Sequence, residues 1–225
     1  MTIRSHTILK EKTMAIVDKR GTDGFGAIIT DIPSAALTQG GNEVHMYPGT
    51  YTAPTSVVAS DYAYIGVGDA DEIIISGDMS FADGSTGSIV FKNITFSGSS
   101  ATAAGGTSCV SKVGNTAVTL KFENCIFTNS DIGVNQLANL TSHAAAGTNG
   151  IEMWWCDATG VDKAIVSNAN AEINYSALNT TSNAYYTVGN DTLNGDPAHT
   201  VTVRASTSGG SNAGNMTETV LALIS

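Results

Sequence analysis

Asp69, Asp71 and Glu72 stand close enough in sequence to share a cation. Calcium takes about six to eight oxygens, usually from a loop of regularly spaced acids closed by a glycine and a glutamate. That loop does not occur here, so the trio reads as a solvated acidic turn. The neighbouring Gly66-Val67-Gly68 lacks the third glycine of a dinucleotide fingerprint and sits in no strand–helix–strand context. The histidines, His6, His45, His143 and His199, fall at no metal-ligand spacing, and none lies near a cysteine in sequence. No metal and no cofactor is therefore expected. Two aromatic pairs, Trp154-Trp155 and Tyr185-Tyr186, are the candidates for stacking on a sugar ring. On a strand, adjacent side chains point to opposite faces, so each pair is expected to offer at most one exposed ring. Such a ring could equally sit at a subunit contact, where Trp and Tyr are enriched.

The elements that position these residues are visible as a repeat. Phe91, Asn93, Phe96 and Ser99 recur 31 residues later as Phe122, Asn124, Phe127 and Ser130. The same step carries Leu120 to Ile151, Phe122 to Met153 and Cys125 to Cys156. Constant spacing of a short strand unit marks a solenoid, in which each coil buries its apolar residues against the next. Within the unit, apolar and polar residues alternate around one asparagine, which reads as two short strands with a bend between them. Asparagine tolerates the left-handed backbone that a one-residue bend needs. Stacked coils then place Asn93 over Asn124 so that their amides can bond, and Phe91, Phe96, Phe122 and Phe127 form an internal aromatic stack in two columns. Trp155 stands where the next asparagine would be, so a different bend is expected there.

Related units lie upstream (Glu43–Met46, Tyr62–Ile65, Glu72–Ile75) and downstream (Ala171–Tyr175, Thr200–Val203). They imply an all-β chain of about six or seven coils between residues 41 and 205. With 24 glycines and 4 prolines the composition favours short strands and many turns. One short helix is expected from Asp31 through Pro33 to Leu37, ended by Gly40-Gly41, with proline near its start and glycine past its end. The expected organisation is a basic arm over 1–20, a capping segment with the helix over 21–40, the coils over 41–205, and a Gly/Ser-rich linker with an apolar strand over 206–225.

Met46-Tyr47-Pro48-Gly49-Thr50-Tyr51-Thr52, then Tyr64-Ile65-Gly66-Val67-Gly68 and Ile73-Ile74-Ile75-Ser76-Gly77, then Ile89 to Phe96, resemble in that order the pectin-lyase-like right-handed parallel β-helices. The resemblance spans about residues 25 to 205 and implies a single-stranded right-handed parallel β-helix whose open N-terminal end is capped by the short helix. Lyases on that fold need a cation or other charge to acidify a sugar proton and a strong base such as Arg or Lys to remove it. The related esterases use two aspartates and an arginine. Of the arginines, Arg4 and Arg20 precede the first coil and Arg204 ends the last, and none lies between Gly21 and Val203. Lys92 and Lys121 share one repeat position, which reads as an outward ladder; Lys112 and Lys163 are the other body lysines. Asp131 and Asp157 follow strand units without a basic neighbour in their coil. A non-enzymatic protein is expected.

Charge divides the chain. Residues 1–20 carry Arg4, Lys10, Lys12, Lys19 and Arg20 against Glu11 and Asp18, a net of +3, while the whole chain carries −10, leaving −13 on the remainder. An acidic body is the wrong sign for a nucleic-acid partner. No run of about 18 apolar residues suggests a membrane span, and Arg4, Lys10, Glu11 and Lys12 break what would be the apolar core of a secretion signal. Cys109, Cys125 and Cys156 are odd in number and two hold successive inward repeat positions, so they read as reduced core residues. The Asn-x-Thr triplets at Asn93, Asn139, Asn179, Asn190 and Asn215 are then chance matches. A small acidic β-helix with a basic arm resembles the accessory proteins of tailed-bacteriophage particles. That resemblance implies a virion protein that decorates or cements the capsid, made in the host cytoplasm and seated as a homotrimer on the major capsid protein through its N-terminal region. The alternative is a carbohydrate-binding or carbohydrate-cleaving tail-spike or cell-surface module. The expected partner contacts are the arm cations Arg4, Lys10, Lys12, Lys19 and Arg20 and the apolar end Val220, Leu221, Leu223 and Ile224, since five successive apolar residues (220–224) would be a liability if exposed.

Overall fold

The structure is a computed structural model and describes residues 15–17, 42–82, 84–99, 107–114, 118–138, 149–167, 170–178, 186–188, 199–204, 207–208 and 216–221. These residues form an all-β parallel solenoid with no α-helix among them. One face is a nine-stranded sheet of β1 (Ala15–Val17), β2 (Glu43–Met46), β4 (Ser60–Gly66), β7 (Thr86–Lys92), β10 (Val118–Glu123), β12 (Asn149–Trp154), β14 (Asn170–Asn174), β17 (His199–Arg204) and β19 (Met216–Leu221), in that spatial order. Sequence order and spatial order coincide, and every pairing is parallel. Between successive strands the chain makes a circuit and returns one rung higher, which is the parallel stacking that the repeat predicts. Seven of these strands lie between residues 41 and 205. The sheet also takes in Ala15–Val17 from the basic N-terminal segment and Met216–Leu221 from the apolar C-terminal one.

The opposite sheet runs β3 (Gly49–Thr52), β5 (Ile73–Ser76), β8 (Thr95–Ser97), β11 (Ile126–Ala138), β13 (Asp157–Ser167), β15 (Ala177–Leu178) and β18 (Thr207–Ser208). The long β11 branches it: Ile126–Thr128 pairs with β8, and the part from Ile132 onward pairs with β9 (Ser108–Gly114), which in turn pairs with β6 (Met79–Phe81). β16 (Tyr186–Val188) adds to the far part of β13. Ile73-Ile74-Ile75 therefore belongs to this second face, with Ile75 in register with Phe96, and not to the column of Phe91.

The expected register of the repeat is the observed one. Phe91 pairs with Phe122 and Phe122 with Met153, while Phe96 pairs with Phe127. The four phenylalanines are buried in two columns. Phe91 and Phe122 stack at 5.1 Å with planes 9° apart, and Phe96 and Phe127 at 5.4 Å and 12°. Across the coil the columns meet edge to face, Phe91 on Phe96 at 87° and Phe122 on Phe127 at 74°. Both geometries suit the ring quadrupole. Tyr64 extends the first column, stacked on Phe91 at 5.2 Å. Cys109, Cys125 and Cys156 are buried and free. The expected helix near Asp31–Leu37, the capping segment 21–40 and Leu223 and Ile224 lie outside the described residues.

Candidate functional site

Four successive coils of the first sheet, those of β7, β10, β12 and β14, end in a one-residue bend, and the bends form a column. Asn93 has φ 54°, Asn124 φ 51°, Trp155 φ 53° and Tyr175 φ 50°. The bend at Trp155 is thus the same as at the asparagines, contrary to the expectation drawn from its side chain. The backbone bonding explains why. Asn93 N donates to the Glu123 carbonyl at 3.1 Å, Asn124 N to the Trp154 carbonyl at 2.9 Å, and Trp155 N to the Asn174 carbonyl at 3.0 Å. These three bends are clamped to the next coil by the same hydrogen bond, so the stack sets the conformation and the residue must accept it. For a left-handed L-residue this costs roughly 1–2 kcal/mol, least for Asn.

The two kinds of residue use the position differently. Asn124 Nδ2 donates to Asn93 Oδ1 at 3.0 Å, and Asn93 Nδ2 donates to the Gly66 carbonyl at 3.3 Å. A side chain at Gly66 would collide with the Asn93 carbonyl, so the ladder needs glycine at its foot. Asn129, also left-handed, repeats the device on the other face, donating to the Gly98 carbonyl at 2.8 Å. Trp155 and Tyr175 instead project into solvent, 55 % and 49 % exposed. Their rings lie 6.2 Å apart with planes within 16°, and Trp154 leans on both, at 5.7 Å from Trp155 and 6.2 Å from Tyr175. The Trp154-Trp155 pair does not alternate in and out, because Trp155 is in the bend and not in the strand. Three rings form one outer surface, and Tyr175 was the member that pairwise reading of adjacent aromatics could not find. The signal for it was its place after Asn174, one repeat on from Trp155.

Beside this surface runs an outward ladder of charge. Lys92 pairs with Glu123 one coil on, and Lys121 Nζ lies 3.0 Å from Glu152 Oε2. In register, Trp154 follows Glu123 in the first of these columns. His45 Nε2 and Glu43 Oε2 are 3.5 Å apart on β2. Asp69 caps a short 3-10 turn, Ala70–Glu72, that contains Asp71 and Glu72, and all three acids are exposed. Among the described residues no group of three His, Cys, Asp or Glu converges as metal ligands, and no helix is long and apolar enough to cross a membrane. Lys112 is 2 % exposed, on the inward parity of β9 in register with Phe81 and Gln136. Its place on a solvated face could not be distinguished from this one without knowing that β9 pairs with β6. Burial pushes the Cys109 thiol up to about 11 and raises that of Cys125 as well, which makes both poor nucleophiles.

Of the expected partner contacts, Arg4, Lys10, Lys12, Lys19 and Arg20 lie outside the described residues, though Lys12 and Lys19 flank β1 in sequence. Val220 and Leu221 are in β19, in register with Val203 and Arg204 of β17. The backbones of Asp131, Asp157 and Lys163 fall on β11 and β13. Comparison with family models, with curated proteins and with solved structures finds no significant match.

Proposed function

We propose that the protein is a non-enzymatic structural module that decorates or cements the capsid of a tailed bacteriophage, its partner the major capsid protein and its oligomer a homotrimer. The observation that carries this reading is the use made of the polar side chains along the coil. Lys92–Glu123, Lys121–Glu152 and the Asn93–Asn124 amides each tie one coil to the next. Polar groups spent on axial ladders stiffen a rod; a reaction centre would have them converge on one point. The basic first twenty residues differ in sign from the acidic remainder of the chain, which suits them to contact an acidic shell. The step to a phage particle rests on resemblance and size, a matter of fold-level analogy.

The test is a mass-spectrometric inventory of gradient-purified virions together with co-sedimentation on empty shells. A variant with Arg4, Lys10, Lys12, Lys19 and Arg20 all changed to Gln keeps β1, which a deletion of residues 1–20 would remove. The chain should be found in virions, and its binding to shells should weaken with salt and fail in the Gln variant. Absence from virions removes the proposal. Salt-insensitive binding by the Gln variant would move the anchor to the apolar C-terminal segment around Val220 and Leu221.

A further inference from the structure

Trp154, Trp155 and Tyr175 form an exposed aromatic surface that the structural role does not use. Two of its members hold left-handed backbone that two earlier coils assign to asparagine, and the chain forgoes the amide ladder to place rings there. Strained positions of this kind concentrate where a side chain is needed for something other than the fold. From these observations we infer that the three rings bind the apolar face of a neutral pyranose sugar. This goes beyond the capsid reading and does not rest on it.

Size and charge select the ligand. With Trp155 and Tyr175 about half exposed and Trp154 less so, the platform offers on the order of 200–300 Å². A stable protein interface needs roughly 800 Å² on each partner, so the rings alone are too small for one, while a single sugar ring fits. Among the flanking polar groups, which also include Glu172 in register with Glu152, Glu123 and Glu152 are each already paired with a lysine, Lys92 and Lys121. Carboxylates paired in this way exert little net pull on a cation. The rim presents acceptors and donors side by side, which suits hydroxyls that both give and take hydrogen bonds. Aromatic surface below and mixed polar groups at the edge are the two halves of a pyranose, one face C–H and the perimeter hydroxyl.

The chain contains two tryptophans, and both are in this surface. Intrinsic tryptophan fluorescence of the full chain therefore reports on the site alone. Titration with methyl β-glucopyranoside, methyl β-galactopyranoside, methyl α-mannopyranoside and N-acetylglucosamine should give a saturable shift with at least one, at a concentration on the order of 1 mM to 0.1 M for so small a ligand. Glycerol, which has hydroxyls but no ring face, should give none. The Trp155→Asn/Tyr175→Asn double variant retains Trp154 as a reporter and should bind at least about tenfold more weakly, with its folding checked by circular dichroism. A flat response to all four sugars overturns the inference. So does a response to tetramethylammonium without one to sugar, or undiminished sugar binding by the double variant. If that variant fails to fold, the parent titration still decides.

Discussion

The coils that bend at Asn93 and Asn124 and the coils that bend at Trp155 and Tyr175 share one backbone and differ in everything attached to it. All four residues lie within a few degrees of one another in φ, and three of them have the same amide clamp to the next coil. In the first region the bend side chains continue the scaffold through an amide ladder. In the second they leave it and form a surface. The difference shows that the stack fixes the bend and that the residue there is free to serve another end, at a cost of order 1–2 kcal/mol in the left-handed region. It also shows where the scaffold is richest: the phenylalanine columns lie under the asparagine bends, while Met153 and Ile173 continue the first column under the aromatic ones.

The largest effect that would test this contrast is in the core. Phe122 stacks on Phe91 and meets Phe127 and Phe96 edge to face. Phe122→Ala should cost about 3–5 kcal/mol, and Met153→Ala, one coil on, about 2–5 and toward the low end, because a flexible thioether leaves neighbours better able to close the gap. Urea denaturation of the two variants measures both. A Phe122→Ala protein that melts within a degree or two of the parent would mean that the ring columns do not hold the coil together.

How much of this was legible beforehand depends on whether the signal was local or arose from stacking. The phenylalanine columns could be read because residue type and a constant step coincide at Phe91/Phe122 and Phe96/Phe127. The asparagine ladder followed because Asn is the residue that a left-handed bend favours. The same reasoning failed at Trp155, where propensity was overridden by the hydrogen bond that its backbone N–H donates to the neighbouring coil. The arm of the second sheet made by Met79, Val110 and Val134 carried no such signal, since its members share no type and their spacing varies with the intervening loops. Lys112 was missed for that reason. Tyr175 was missed because the step from Trp155 to it is 20 residues and not 31, the circuit of that coil being shorter.

A second, smaller effect separates the two bends directly. Asn124→Ala puts an ordinary residue in the left-handed region and removes the bond to Asn93 Oδ1. The two losses together should cost about 2 kcal/mol. Trp155→Asn should cost nearly nothing. It gives up a ring stacked on Tyr175, worth roughly 0.5–1.5 kcal/mol, and supplies a residue that suits the conformation and can extend the ladder to Asn124, worth a similar amount. Parallel thermal melts compare them. A Trp155→Asn loss equal to that of Asn124→Ala would show that the aromatic bend is itself part of the scaffold, and the contrast between the regions would collapse.

The smallest effect concerns the charge ladder that runs past both regions. Lys92 and Glu123 are about two-fifths exposed, at 40 % and 42 %, so water and salt screen their attraction. Lys121 is similarly exposed at 39 %, but Glu152 is only 20 % exposed, so that pair is the better sheltered. Exposed pairs of this kind contribute about 0–1 kcal/mol. Lys92→Met should therefore shift stability by a few tenths of a kcal/mol at most, and Lys121→Met by somewhat more while staying under about 1 kcal/mol. The methionine keeps most of the aliphatic stem, so what is lost is the charge and not the packing. Denaturation in low salt and in 1 M salt, where screening reaches to about 3 Å, distinguishes the pairs: the Lys121→Met difference should persist and that of Lys92→Met should vanish. A loss of several kcal/mol from Lys92→Met would mean that the ladder, and not the ring columns beneath it, is what binds the asparagine coils, and the order of effects argued above would have to be reversed.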